Sequence, residues 1–252
     1  MKPSKNMRSF KGDLHIHSVL SPCGDLEMSP HNIVERALAR GLEMIAVTDH
    51  NSGRQCRVVQ KAGADRGLAV LCGVEINTRE EVHCLAYFSS LDQVDDFDRF
   101  LYNRLADIAN QPEKFGYQAV VDEQERIIEQ PEKLLISAVD LSVGEVEKQV
   151  HELGGLFVPA HIDRMRNGII AQLGFVPPDL SCDALEISRH TSREAMITKY
   201  PYLKDYPFIQ SSDAHYMGDI GSVHSVFQIT APGLSELAMA MEGLNGRKII
   251  HP

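Results

Sequence analysis

Short apolar runs alternate along the chain with segments in which apolar residues recur every three or four positions. Runs that are apolar throughout are typical of strands covered on both faces, whereas the longer spacing is typical of amphipathic helices. The runs predict strands at Ser9–Ile16, Met44–Thr48, Ala69–Glu75, Val82–Phe88, Leu156–Ala160, Ala184–Ile187, Pro207–Ser211 and Ser225–Ile229.

Helical spacing and capping residues mark several of the segments between these strands. Ser29 and Pro30 supply a cap and a first helical residue, and Gly41 is expected to end that helix. Further helices are predicted at Val94–Ile108, from the capping box of Ser142 and Glu145 to Gly154, and at Leu234–Met241. Strands that alternate with helices over this length predict a parallel α/β barrel or an open sheet.

The chain has 252 residues, of which 43% are hydrophobic, and this length suits one α/β barrel. We therefore expect a single domain over residues 1–252, with a small insertion around 92–149. No apolar run approaches the roughly 20 residues that cross a bilayer. The five cysteines include no C-x-x-C pair, which favours a cytoplasmic protein over a disulfide-stapled one.

The net charge is −10, from 25 basic and 35 acidic side chains. Proteins that bind nucleic acid without regard to sequence hold its phosphates with Lys and Arg. This balance therefore argues against long nucleic acid as a partner. It remains compatible with a small phosphorylated partner, because metal ions can supply positive charge locally.

Histidine and aspartate residues stand where the first and one of the last predicted strands end. His15 and His17 close the first strand, and side chains two residues apart in a strand point the same way. Near the other end of the chain, Asp213 and His215 follow a predicted strand. Each pair places two potential metal ligands at a strand terminus.

Three further strands end in the same kind of residue, namely His50, Glu75 and His161, and His83 opens the strand after Glu75. A single histidine at a strand end is more often a solvated or satisfied residue than a ligand. Five strand ends of this kind are hard to explain by packing, and buried carboxylates without a cation would be costly. The active sites of α/β barrels form at the carboxyl ends of the strands. The pattern therefore predicts a metal site.

The residues of this pattern belong to motifs, which are D-L-H-I-H from Asp13, T-D-H from Thr48, G-V-E from Gly73, P-A-H from Pro159 and S-D-A-H from Ser212. Together and in this order they resemble the PHP (polymerase and histidinol phosphatase) family over most of the chain. The resemblance implies a distorted (β/α)7 TIM-like barrel of the PHP type and two or three divalent metal ions. Imidazole and carboxylate ligands suit Zn, Mn or Fe without choosing among them.

The resemblance also implies three groups of ligands, with Glu75 shared between the first two. The groups are His15, His17, Glu75 and Asp213; Glu75, His83 and His161; and His50, His215 and one residue from the loop after His17. In that loop the chain departs from the family, whose members commonly have S-D-G or a histidine there. Counting back from Pro30 selects Asp25, which we favour, whereas counting forward from His17 lands near Cys23.

A site of this kind predicts phosphoester hydrolysis by a metal-bridged hydroxide, with Asp213 or His215 orienting the water or carrying its proton. Arg164, Arg189 and His190 follow strand ends and are candidates for binding the substrate phosphate. The leading hypothesis is a hydrolase of a small phosphorylated metabolite or nucleotide. The alternatives are an exonuclease or phosphodiesterase on short nucleic acids, and a non-catalytic metal-binding module.

Overall fold

The computed structural model describes residues 7–250 of the chain. Its strands are β1 (Arg8–Ile16), β2 (Met44–Val47), β3 (Ala69–Asn77), β4 (His83–Phe88), β5 (Val120–Val121), β6 (Ile127–Glu129), β7 (Leu156–Pro159), β8 (Leu185–Ile187), β9 (Phe208–Gln210), β10 (Ser225–Ile229) and β11 (Lys248–Ile250). Its helices are α1 (Pro30–Ala39), α2 (Cys56–Arg66), α3 (Leu91–Tyr102), α4 (Pro112–Phe115), α5 (Val143–Glu152), α6 (Ile169–Leu173), α7 (Arg193–Lys199) and α8 (Leu234–Met241).

A curled seven-stranded sheet forms the centre, with its strands in the order β11-β10-β1-β2-β3-β4-β7. β1, β2 and β3 are parallel, whereas β4 is antiparallel to both β3 and β7, and β10 is antiparallel to β1. The antiparallel pairing of β3 with β4 follows from their short connection, because a parallel pair needs a long crossover.

A separate parallel pair, β8 and β9, stands beside this sheet. Backbone hydrogen bonds outside the regular strand pairings link the pair to its neighbours. Ile162 N donates to Glu186 O beyond β7, and His17 N donates to Ala214 O at the end of β1, both at 2.9 Å. The structure thus shows a mixed α/β half-barrel, and the closed (β/α)7 barrel is not confirmed, since the β3–β4 and β4–β7 pairs are antiparallel and the seven-stranded sheet does not include β8 and β9.

Helices α1 and α2 cover one face of the parallel strands. Ile33 and Val34 of α1 pack with Val59 of α2 against Ile45 and Val47 in one buried cluster. All four residues of β2 are buried, which explains why this strand is apolar throughout. Polar side chains are therefore concentrated where the strands end.

The eight predicted strands are all confirmed, each to within two residues at either end. The capping box of Ser142 and Glu145 is also confirmed at the start of α5. The helix predicted over Val94–Ile108 ends earlier, at Tyr102, because the chain turns there to pair Leu105 with Val139. None of the helices within residues 7–250 is both long and apolar enough to cross a bilayer.

The segment over residues 92–149 packs against the loops that follow β2. Asn51 Nδ2 donates to the carbonyls of Leu135 and Ser137 at 2.7 and 2.8 Å. Gln55 exchanges two hydrogen bonds with the backbone of Val121. These contacts bring the segment beside the strand ends. That the segment is an insertion within one domain stays a prediction.

Candidate metal centre

Imidazole and carboxylate side chains converge at the edge where the parallel strands end. They are His15, His17, His50, Glu75, His83, His161, Asp213 and His215. His83 belongs to this set although it opens its strand, because β4 is antiparallel to β3 and therefore begins where β3 ends. The structure thus brings together all of the predicted ligands except Asp25.

Glu75 stands at the centre of this cluster and is 1% exposed. Its carboxylate oxygens lie 2.8 Å from His83, 3.0 Å from His50, 3.2 Å from His15 and 3.3 Å from both His17 and His161, measured to a ring nitrogen. A carboxylate has roughly four acceptor sites, so it cannot satisfy five rings by hydrogen bonding alone. The geometry is that of donor atoms gathered around shared cations.

Asp213 is the second carboxylate of the cluster. Its Oδ1 lies 3.3 Å from His15 Nε2 and 3.2 Å from His17 Nε2, while its Oδ2 accepts a hydrogen bond from Arg164 Nη1 at 2.5 Å. Asp213 and His161 both have positive φ, at 51° and 28°. Such conformations cost about 1 to 3 kcal/mol for residues other than glycine and are typical of functional sites.

Several buried polar atoms of the cluster have no hydrogen bond, namely Glu75 Oε2, Asp213 Oδ1, His50 Nδ1 and His161 Nδ1. Buried groups of this kind are costly unless a partner satisfies them. The donor atoms form three groups in which all members lie within 4.8 Å of one another. The groups are His15, His17, Glu75 and Asp213; His50, Glu75 and His83; and His17, His50 and His215.

The donor set therefore fits several divalent cations. Its first group is the one that the resemblance implies. In the other two groups His50 stands with Glu75 and His83, and His17 stands with His50 and His215. The assignment of each residue to a particular ion stays a prediction.

Burial opposes the charged form of His15, His17 and His50, but the nearby carboxylates outweigh it, whereas burial lowers the pKa of His83 and of His215. The contacts with Asp213 and Glu75 raise the pKa of His17 to about 9, and the charge of Glu75 raises the pKa of His50 to about 9. Burial likewise opposes the charged form of Glu75, yet His83, His15 and His50 hold its pKa well below the usual range. Without metal, protonated imidazoles thus neutralise the buried carboxylates.

We expect the affinity for divalent cations to rise with pH up to about 9 and then to level off. His17 and His50 carry protons below their pKa of about 9, and a metal ion binds only the neutral ring, so binding must release protons. Calorimetric titration with Mn²⁺ in two buffers of different ionisation enthalpy counts those protons. An affinity that stays constant between pH 6 and pH 9 would contradict this account.

Two further carboxylates position parts of the cluster, and the sequence indicated them weakly or not at all. Glu186 Oε2 lies 3.0 Å from His15 Nδ1 and accepts the backbone N–H of His161 at 3.0 Å. Asp13 accepts hydrogen bonds from the amide and hydroxyl of Ser212 at 2.9 and 2.6 Å. For Glu186, the available signal was a carboxylate within the otherwise apolar strand β8.

Asp49 acts on the cluster through Ser21. Its Oδ1 accepts hydrogen bonds from Ser21 Oγ and from the amide of Ser18, each at 2.7 Å. Ser21 Oγ in turn lies 3.0 Å from His17 Nδ1. Asp49 therefore fixes the loop after β1 and, through it, the orientation of one predicted ligand.

The structure does not bring Asp25 into the cluster. Asp25 Oδ1 accepts the amide of Glu27 at 2.8 Å, and the Asp25 carbonyl accepts the amide of Met28 at 3.0 Å, so its side chain closes a turn that leads into α1. Cys23 lines the cavity beside His50 instead. Counting back from Pro30 selected Asp25 because a count of residues along the chain does not show that the chain turns there.

A cavity of about 580 Å³ opens above the cluster. Arg164, Met165 and Arg166 line it together with the predicted ligands. Arg189 and His190 do not line it, since the chain turns away after β8 and Arg189 pairs with Asp219 at 3.0 Å. Of the predicted phosphate-binding residues, the structure brings only Arg164 to the cluster.

A curled α/β sheet with a His–carboxylate centre at its strand ends defines a metal-binding hydrolase. The chain belongs to the PHP domain family, whose sequence profile matches residues 13–163. Proteins similar to it include a 5′-3′ exoribonuclease, a 3′,5′-nucleoside bisphosphate phosphatase and an endonuclease, all of which are hydrolases that act on phosphoester bonds.

The chain is similar to three known proteins. Bacillus subtilis YqxK is 24% identical over 275 aligned positions, which cover 97% of this chain and 65% of that protein. The 5′-3′ exoribonuclease of Haemophilus influenzae is 37% identical over 71 residues, or 28% of this chain and 25% of that one. Endonuclease Q from Pyrococcus furiosus has the same fold, with a TM-score of 0.73 and 22% identity over 96% of this chain and 58% of its own. The chain thus spans about two thirds of YqxK and 58% of endonuclease Q.

The expectation of a small phosphorylated partner, with long nucleic acid disfavoured, is contradicted by a second structure of endonuclease Q. That structure holds a 27-mer duplex with an abasic lesion at the active site, and it matches this chain with a TM-score of 0.74 and 20% identity over 96% of this chain and 58% of its own. The expectation was wrong because it used the charge of the whole chain. A metal centre attracts phosphate locally, whatever the net charge of the protein.

Proposed function

We propose that this chain hydrolyses phosphodiester bonds of nucleic acid at the cluster centred on Glu75. The observation that carries the proposal is a set of buried, unsatisfied donor atoms at the floor of a cavity that also contains exposed basic side chains. The likeness to endonuclease Q over 96% of the chain, and the local likeness to an exoribonuclease, favour nucleic acid as the substrate class. Zn, Mn and Fe all suit these donors.

The loop after β7 presents the basic side chains. Arg166 is exposed and has no ionic partner among residues 7–250, and Met165 beside it is 85% exposed. The loop is anchored where Asn167 O accepts the amide of His83 at 2.8 Å, which ties it to the start of β4. A guanidinium group held beside the cluster suits a phosphate of the nucleic-acid backbone.

Divalent ions bound at the cluster would supply positive charge to the phosphoryl oxygens and lower the pKa of water towards neutrality. Arg164 holds Oδ2 of Asp213, which leaves Oδ1 directed at the cluster. Burial, and then the nearby His17, lower the pKa of His215 to about 3, so this ring is neutral at physiological pH. Asp213 and His215 are thereby placed to orient the attacking water.

The proposal is tested with metal-stripped protein to which Mn²⁺ or Zn²⁺ is returned. The substrates are end-labelled single-stranded DNA, single-stranded RNA and a duplex with one abasic site, with p-nitrophenyl phosphate for comparison. We expect metal-dependent cleavage of at least one nucleic acid, at a higher kcat/KM than for p-nitrophenyl phosphate. Hydrolysis of p-nitrophenyl phosphate with all three nucleic acids intact would overturn the proposal.

Replacing Arg164 with alanine should lower kcat/KM for the cleaved nucleic acid by about 10- to 100-fold, since a charge-assisted hydrogen bond contributes roughly 1.5 to 3 kcal/mol. Its guanidinium contacts Asp213 and lines the cavity. Arg189→Ala is the matched control, because that side chain pairs with Asp219 outside the cavity. Equal losses in the two variants would contradict a role for Arg164 at the site.

A further inference from the structure

We propose that Cys23 supplies a thiolate ligand to a metal ion held by His50 and His215. This inference rests on the metal centre of the proposed function and concerns one position within it. Cys23 lies in the loop after β1 and lines the cavity above the cluster.

The loop that carries Cys23 is held firmly on both sides. Ser21 Oγ donates to Asp49 Oδ1 at 2.7 Å, and the amide of Asp25 donates to the His215 carbonyl at 2.9 Å. Between them, a Cβ on Gly24 would lie 2.8 Å from the Ser18 carbonyl, so the close approach requires glycine there. The backbone thus presents Cys23 to the cavity from a defined position.

The His50 ring, which lines the cavity together with Cys23, has an unsatisfied nitrogen. The side chain of His50 is 3% exposed, and its Nδ1, which lies 3.0 Å from Glu75 Oε2, has no hydrogen bond. The donor atoms of His17, His50 and His215 lie within 4.8 Å of one another. Cys23 is not a member of this group but lines the same cavity as His50 and His215, so binding an ion requires the thiol to turn towards them.

Charge favours a thiolate at this position. The group of His17, His50 and His215 contains no anionic donor, whereas the first group holds both Glu75 and Asp213. Among the described residues that line the cavity, Cys23 is the remaining side chain that can carry a negative charge. A sulfur ligand would make this position prefer Zn²⁺, Co²⁺ or iron over Mn²⁺, because thiolate is a soft donor.

Cobalt substitution tests the inference independently of activity, since a thiolate bound to Co²⁺ gives a charge-transfer absorption in the near ultraviolet. We expect this band in the unaltered protein and in Cys182→Ser, which removes a half-buried free cysteine outside the cavity. We expect Cys23→Ser to lack the band and to bind Zn²⁺ at this position at least tenfold more weakly. Cys23→Asp should restore the metal stoichiometry without the band.

A band that survives in Cys23→Ser, or that is missing from the unaltered protein, would overturn the ligand assignment. The nucleic-acid assay distinguishes this failure from failure of the proposed function. If the band is present but no nucleic acid is cleaved, the proposed nuclease activity is refuted and the assignment of Cys23 as a ligand stands. If nucleic acid is cleaved but the band is missing, the assignment of Cys23 is refuted and the proposed nuclease activity stands.

Discussion

Replacing Glu75 with glutamine should lower metal-dependent turnover roughly 1,000-fold, the upper range seen when a preorganised charge is removed from an active site. The Glu75 carboxylate lies within 3.3 Å of five imidazoles and belongs to two of the three donor groups. Glutamine keeps the size of the side chain but removes the charge that two cations would share. The measurement is kcat on the cleaved nucleic acid, with metal content by elemental analysis.

The exposed pair of Glu35 and Arg66 on the helical surface provides the control, because Glu35→Gln removes a similar charge far from the cluster. Both variants should keep the circular dichroism of the unaltered protein. A Glu75→Gln protein that keeps its full metal content and turnover would show that the imidazoles hold the ions without this bridge.

Replacing Glu186 with glutamine should lower Mn²⁺ affinity and kcat/KM by about 10- to 100-fold, the usual cost of losing a partner that orients a metal-binding histidine. Glu186 faces His15 Nδ1 at 3.0 Å and so directs Nε2 of that ring to Glu75 and Asp213. Its second contact, with the amide of His161, holds that residue in its positive-φ conformation. The substitution should therefore disturb the orientation of two predicted ligands, His15 and His161.

The contact between Glu147 and His151 on α5 is a matched control for Glu186, since a glutamate oxygen there lies 2.7 Å from a histidine Nδ1 outside the cluster. Glu147→Gln should leave Mn²⁺ affinity unchanged. If Glu147→Gln and Glu186→Gln weakened the metal equally, the effect would reflect general destabilisation and the orienting role of Glu186 would fail.

Helix α2 is an element that the spacing of apolar residues did not predict. Its buried residues form a narrow face of Cys56, Val59, Ala62 and Gly63, and the remaining positions are mostly polar, so the apolar pattern did not predict it. By contrast, β2 and β7 are buried along their whole length and were predicted almost to the residue. A strand buried on both faces is apolar throughout and is easily recognised in the sequence. A surface helix that buries only a narrow face contains few apolar residues and gives no clear periodic pattern.

Asp25 and Cys23 lie two residues apart, and counting back from Pro30 favoured Asp25. The choice depends on the turn that Asp25 closes with Glu27, which removes its carboxylate from the cavity. Sequence spacing also gave no role to Glu186, because its contact is with His15, a residue 171 positions away. Such contacts have no local signature along the chain.

The sequence by itself determined the strands and the donor residues at their ends, because hydrophobic burial and strand alternation are properties of neighbouring positions. It thereby also determined the family. Only the tertiary structure decided that β4 is reversed, that Glu75 is the common centre of five rings and that Cys23, rather than Asp25, faces the cavity. These features arise from distances between remote segments, and only the folded sheet defines those distances.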